Sequence, residues 1–337
     1  MEVIAVDNVQ QALPEGCRIL REKAVRRESR NGAAYVLPTM MTTVYRKPVQ
    51  RVLFWAERDA NPFFHLMESL WILAGHRDVE WIGQFNSKLV QYSDDGVTYN
   101  GAYGYRWRHW FGIDQLKMIA ENLRKNPNCR RQVLTMWDGG RDLSHQDTKD
   151  VPCNLCVPVQ IDLDGRLSLA VYNRSNDLIW GAHGANAVQF SVLLEVLAGL
   201  IGVPVGTYTQ VSMNTHVYEP HWEMARQLAD RAPDVVSGQK HTHQDPYAWG
   251  AVQAYPMVQN PSTWFDDLGL FMSGATRGFR NPFFSDVAVT IRDCWNVYKT
   301  QKGDPNRITA AQDILRPITV LDWGKAAHEW LERRRTT

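Results

Sequence analysis

Residues 186–200, NAVQFSVLLEVLAGL, are apolar on nearly every side of a helix. A helix with one apolar stripe can rest on a surface, but one that is apolar all round must be enclosed. The chain therefore has to place a layer on each side of this segment. Strands for such a layer are legible. Residues 157–163 and 166–173 alternate and meet at Asp164-Gly165, a hairpin signal. Tyr35 to Leu53, Arg131 to Trp137 and Thr207 to Val217 also read as strands. Helices are expected from Asn61-Pro62 to Ala74, stopped at Gly75, from Gly112 to Lys125, and from Glu219 to Ala229. Long helices among strands argue an α+β fold, a mixed β-sheet covered by helices.

Residues 1–20 read as a leading segment and residues 27–32 as a polar turn. Pro, Gly, Asn and Asp crowd residues 231–285, which read as irregular, and helix returns at about 286–302 and 322–335. This divides the chain into a catalytic core, 1–230, and a C-terminal extension, 231–337, packed on it. The 337 residues are 44% hydrophobic and 22% charged, ample for a buried core. The net charge of +1 gives no global field toward nucleic acid or an anionic membrane, so neither is expected as a partner. No run of about 18 apolar residues reads as a membrane span. The first residues lack the basic-then-apolar order of a signal peptide. Five scattered cysteines point to reduced thiols in a cytoplasm.

Chemistry concentrates in VPCNLCVPVQIDLDGRLSLAVYNRSND, residues 151–177. If the hairpin closes, Arg174 returns to Cys153. A guanidinium beside a thiol favours the nucleophilic thiolate, and paired N–H donors can hold a phosphate or carboxylate. Cys153 and Cys156 also spell C-x-x-C, but a redox pair would open a helix, and the residues that follow alternate like a strand. Cys156 reads instead as a core thiol. Glu68 lies inside an otherwise apolar helix. Arg130 and Arg131, adjacent on an expected strand, should point to opposite faces. His241 and His243 read as surface loop, and no metal site is expected.

Several separate motifs, collinear from about Arg30 to Glu223, resemble thymidylate synthase and its relatives, the phage-type pyrimidine nucleotide hydroxymethylases. Within that superfamily the phage deoxyuridylate hydroxymethylases are most resembled. HLMESLWILAG resembles the helix that carries the catalytic glutamate, here Glu68. GAYGYRWR resembles the segment of an active-site tyrosine, here Tyr103. CRRQVL resembles the twin-arginine strand, VPCN the nucleophile's loop, and NRSND the arginine-serine-x-aspartate motif. GANAVQFS resembles the segment with the base-reading asparagine. NTHVY resembles the histidine-x-tyrosine pair that binds the sugar, and RNG at 30–32 the phosphate loop.

The resemblance implies a thymidylate-synthase-like domain and a mechanism. Cys153 adds to C6 of a pyrimidine nucleoside monophosphate, so that C5 takes a one-carbon unit from the co-substrate 5,10-methylenetetrahydrofolate. Glu68 and Tyr103 move protons through ordered water. Arg30, Arg174 and Ser175 hold the phosphate. Arg130 and Arg131 reach the phosphate of a neighbouring subunit, in a homodimer with shared sites. His216 and Tyr218 hold the sugar, Asp177 the folate pterin, and Asn186 the base. An asparagine that donates to O4 and accepts from N3–H suits uracil, whereas an acidic group suits cytosine better.

Three departures bear on the product. The 86–100 segment, NSKLVQYSDDGVTYN, lacks the tryptophans that shield the methylene intermediate in the methylases. The ending AHEWLERRRTT does not resemble their closing tail. GAHGANAVQ carries one extra residue, leaving Ala185 or Asn186 in the base-reading place, of which only Asn186 has a hydrogen-bonding side chain. The expectation is 5-hydroxymethylation of deoxyuridylate by water, in a host cytoplasm if phage-encoded. Reductive methylation, hydroxymethylation of deoxycytidylate and an inactive nucleotide-binding relative stand as alternatives.

Overall fold

The enclosure that residues 186–200 demand is supplied by a six-stranded sheet and a shell of helices. A computed structural model describes residues 1–144, 147–233 and 245–335. The strands are β1 (Glu2–Val6), β2 (Val25–Arg27), β3 (Ala34–Val36), β4 (Met41–Tyr45), β5 (Val133–Thr135), β6 (Asn154–Ile161), β7 (Leu167–Asn173), β8 (Asn176–Asp177), β9 (Val205–Ser212) and β10 (Thr215–Tyr218). The helices are α1 (Val9–Lys23), α2 (Pro62–Leu73), α3 (Val79–Gly83), α4 (Tyr103–Tyr105), α5 (Gln115–Lys125), α6 (Gly139–Asp142), α7 (Asn186–Ile201), α8 (Trp222–Ala229), α9 (Trp264–Met272), α10 (Val289–Thr300), α11 (Arg307–Leu315) and α12 (Asp322–Glu332).

The large sheet runs β1-β4-β9-β7-β6-β5 and is mixed, with parallel pairs at β1/β4 and β7/β9. Helix α7 lies against β7 and β9 and is walled by α2 and α5. Phe190, Leu193 and Leu197 are wholly enclosed, each worth about 1.5–3 kcal/mol of burial. With the turns before it, Leu178–Ile201 is long and apolar enough to cross a membrane by length and composition, and most of its apolar stretch is buried in this core.

The expected hairpin is β6/β7, closed at Gly165, which takes the positive φ that glycine tolerates. Three readings change. The leading segment is itself structured: β1 pairs in the sheet, and α1 is capped by Asn8 and buries Leu13, Cys17 and Leu20. Residues 207–217 are not one strand. The chain leaves the large sheet at Ser212 and enters a second sheet, β2-β3-β10-β8, at Thr215. The alternation runs through Met213 and Asn214 without a break, so the change of sheet left no mark in the pattern. Residues 231–285 include a helix, α9, and α11 adds another beyond them. His241 and His243 lie outside the described residues.

The C-terminal helices bury aromatic area against α2. Trp295 and Trp330 flank Phe63 at 5.2 and 5.6 Å between ring centroids. Trp295 donates to the Gln84 carbonyl, and Arg333 and Arg334 clasp the Asp59 carboxylate. One continuous set of buried apolar side chains runs from Ile4 to Leu331.

Candidate active site

The loop of Cys153, the expected nucleophile, is fixed from both ends of the hairpin. Cys153 sits in a bend before β6, where the register with β7 shifts between Asn154 and Cys156. Such irregularities re-aim side chains beside functional sites. The Arg174 N–H donates to the Cys153 carbonyl at 3.0 Å, so Arg174 does return to Cys153. Its guanidinium donates from Nε to the Pro152 carbonyl at 2.9 Å and from Nη2 to the Val151 carbonyl at 3.0 Å. The fork is therefore partly committed to clamping the loop, and Nη1 carries no hydrogen bond among the described residues. Half-buried Ser175 follows it. The expected activation of the thiol is outweighed. Burial pushes the Cys153 thiol above its ordinary pKa, Asp150 adds to that, and Arg174 and Arg30 pull the other way.

Arg30 is exposed in the turn before β3. Its neighbour Asn31 donates to the Tyr218 hydroxyl at 3.2 Å. On β10, His216 packs edge-on against Tyr218, bonds Asn214 through Nδ1 and stands in register with Asp177 of β8. The second sheet thus gathers Arg30, His216, Tyr218 and Asp177.

Asp177 does the work of a cap: one carboxylate oxygen accepts from the N–H groups of Ile179 and Trp180. Its other oxygen is buried with no partner among the described residues. Burial pushes this carboxyl up to about 6, against the two backbone bonds and nearby Arg58. The turns that follow kink at His183 and Gly184 and deliver Asn186 to the first turn of α7. Its amide donates to Asn176 Oδ1 at 3.2 Å. Gly181 makes room for that pairing, since a Cβ there would lie 2.3 Å from Asn176 Oδ1.

A cavity of about 170 Å³ holds the groups expected to move protons. Glu68 and Tyr103 line it with Trp71, Ile82, Tyr99, Asp150 and Gln189. Glu68 accepts from Gln189 Nε2 at 2.7 Å, and burial pushes its carboxyl up to about 7 despite that bond. A group poised there can take and return a proton near neutrality. Tyr103 reaches the cavity because Gly104 lets its short helix press on the end of α2, where a Cβ would lie 1.7 Å from the Ile72 carbonyl. The Tyr103 hydroxyl is driven well above its ordinary pKa, first by burial and then by Cys153, Asp150 and Glu68. The tryptophan-free 86–100 stretch gives this wall Leu89, Tyr92 and Tyr99.

Arg130 and Arg131 are not brought to this site within one chain. They precede β5 rather than lying on it, so the opposite-faces expectation does not apply. Both are exposed and line a separate depression with Asn126, Asn128 and Cys129. No three His, Cys, Asp or Glu side chains group to hold a metal among the described residues. Sequence reasoning missed Gln189, Asn176, Tyr99 and Asp150. Gln189 had a signal, a polar residue three positions after Asn186 in an apolar helix. Asp150, next to Lys149 in a polar stretch, reads like a solvated loop acid.

With this geometry in view, the chain was compared with known proteins. The thymidylate synthase family model matches residues 17–245. A deoxyuridylate hydroxymethyltransferase of Pseudomonas phage M6 is 50% identical over 99% of this chain and 95% of its own length. One from Bacillus phage SP01 is 42% identical over 52% of this chain and 48% of its own. A thymidylate synthase from Corynebacterium aurimucosum is 28% identical over 51% of this chain and 65% of its own.

Proposed function

The chain belongs to the thymidylate synthase family, and on that premise we propose that it hydroxymethylates deoxyuridylate at C5. It is a one-carbon transferase. Cys153 thiolate adds to C6 of the pyrimidine and makes C5 nucleophilic, dividing one hard substitution into easier steps. Burial disfavours the thiolate, and Arg174 and Arg30 work against that burial. Arg174 Nη1, Ser175 and Arg30 take the phosphate, and His216 and Tyr218 take the sugar. Asn186 reads the base: its amide can donate to O4 and its carbonyl can accept from N3–H. Glu68 exchanges protons with the ring through water, and Gln189 and Tyr103 order that water.

The residues present suit a folate. Asp177 has a buried oxygen without a partner, and Trp180 beside it is 41% exposed, as a ring that stacks on a pterin would be. Methylenetetrahydrofolate supplies the carbon when bound. The large sheet's face away from α7 bares Val3, Val133 and Tyr172, an apolar surface suited to a second copy. In such a homodimer Arg130 and Arg131 serve the neighbour's phosphate. Five free thiols support a cytoplasmic setting, that of an infected host.

The observation that carries the hydroxymethyl reading is the 86–100 side of the Glu68 cavity, which supplies Leu89, Tyr92 and Tyr99 and no indole. The test is product analysis by mass after incubation with deoxyuridylate and methylenetetrahydrofolate, with deoxycytidylate in parallel. Hydroxymethyldeoxyuridylate with tetrahydrofolate is expected. Thymidylate with dihydrofolate would overturn the reading, and turnover of deoxycytidylate alone would overturn the base.

A further inference from the structure

Asp150 stands three residues before the nucleophile and faces the same cavity as Glu68 and Tyr103. It is held in place with care. Its Oδ2 accepts from the Gly101 N–H at 2.7 Å, and its backbone carbonyl accepts from Asn100 Nδ2 at 3.0 Å. Gly101 has to be glycine for the carboxylate to come this close, because a Cβ would lie 2.7 Å from Asp150 Oδ1. The Asn100 carbonyl is fastened in turn by Arg106 Nε at 3.1 Å, and Arg106 is locked into a buried two-pronged pair with Asp142. Oδ1 accepts no hydrogen bond among the described residues.

A second polar group points the same way. Tyr99 lines the cavity, and its hydroxyl is buried without a partner among the described residues. A buried hydroxyl left alone is unfavourable by about 1–3 kcal/mol, and ordered water relieves such sites when two or more polar groups converge. The charge of Asp150 reaches the hydroxyls of Tyr99 and Tyr103 and the Cys153 thiol. Asp150, Tyr99 and Glu68 therefore line one cavity with room for ordered water.

We propose that Asp150 is the base that activates the water that enters the product, with Tyr99 orienting that water. This rests on the hydroxymethyl reading above. Once the carbon is on C5 as an exocyclic methylene and Cys153 is still bonded to C6, the water oxygen bonds to that methylene and its proton passes to Asp150 Oδ1. The methylene π pair moves into the ring as an enolate. The enolate collapses, the C5–C6 double bond re-forms, and Cys153 leaves as thiolate. Asp150 then releases its proton to solvent. No electron donor is consumed. Burial raises the Asp150 carboxyl above its ordinary pKa, which makes the carboxylate a stronger base.

Asp150→Asn keeps an acceptor for the Gly101 N–H and removes the base, so it separates chemistry from support of the loop. Three quantities are read beside the wild type: tritium release from C5, hydroxymethyldeoxyuridylate formed, and the intact mass of the acid-quenched protein. In a single turnover with enzyme in excess, the variant should release tritium at a rate within about fivefold of wild type, while product formation slows about 100-fold. The Cys153–pyrimidine adduct carrying the methylene should accumulate in the mass spectrum, and Tyr99→Phe should show the same pattern more weakly. Equal loss of tritium release and product, or unchanged product, overturns the role of Asp150. A wild type that makes thymidylate overturns the underlying reading instead.

Discussion

The anion side of the site and its carbon-transfer side are built by opposite means. On the side proposed to hold the phosphate, Arg30 and Arg174 are exposed, and Arg174 is held through backbone carbonyls of the loop it clamps. Around the cavity, Glu68, Tyr103 and Asp150 are desolvated, and each has its protonation pushed upward by burial. Charge on the first side is kept wet and ready for a partner of opposite sign. Charge on the second is made uncomfortable, which is what a group needs if it is to pass protons at neutral pH. Binding and chemistry thus share a site without sharing an environment.

The largest effect should come from Cys153, which joins the two sides. Cys153→Ser should abolish product and C5 tritium release, since the serine hydroxyl is a far weaker nucleophile without an adjacent base. Mixing inactive Cys153→Ser with Arg131→Ala should restore a fraction of activity, because one site of the hybrid dimer is intact. Failure of mixing, with subunit exchange demonstrated by mass, would confine the phosphate side to one chain.

Next, Glu68→Gln should lower turnover by about 10²–10⁴ while leaving nucleotide binding within a few fold. The same variant tests the desolvation of the cavity. Glu68 has its carboxyl at about 7 when folded, above the ordinary carboxylate value. Between those two values the folded protein binds more protons than the unfolded one. Its stabilising contribution is full below the lower value and is lost as pH rises through about 7. Asp177, at about 6, slopes the same way. Glu68→Gln should therefore gain on wild type, by about 2–4 °C in melting temperature, between pH 5 and pH 8. Equal melting shifts at both pH values would show that Glu68 is not desolvated.

The smallest effect should be at Cys156. It is half-buried on β6 opposite Tyr172, so Cys156→Ala should cost at most a slight loss of stability and leave turnover within about twofold. Loss of activity would revive the C-x-x-C reading.

What was legible divides along the same line. The residues of the proposed anion side stand in compact motifs, NRSND, NTHVY and RNG, and these meet because the hairpin and the small sheet bring them together. The enclosed helix was legible for a plain reason: a segment apolar all round has one solution. Asp150 and Tyr99 were not, since their meaning depends on a cavity that forms only after α2, α4 and the 100–101 turn have packed. The twin arginines were read as strand, but β5 begins two residues after Arg131. Helix α9 was hidden by the turn-forming residues on either side of it.

The Arg106–Asp142 pair lies under the wall, and breaking one partner of such a buried pair costs about 3–5 kcal/mol. What it grips in the wall is the Asn100 carbonyl, an atom that every residue type carries. The lining side chains at 99 and 102 can therefore be exchanged without unfastening the frame. A scaffold tied down by its backbone lets selection rewrite the outcome of the reaction, methyl or hydroxymethyl, by point substitution, while the fold that starts the reaction stays as it is.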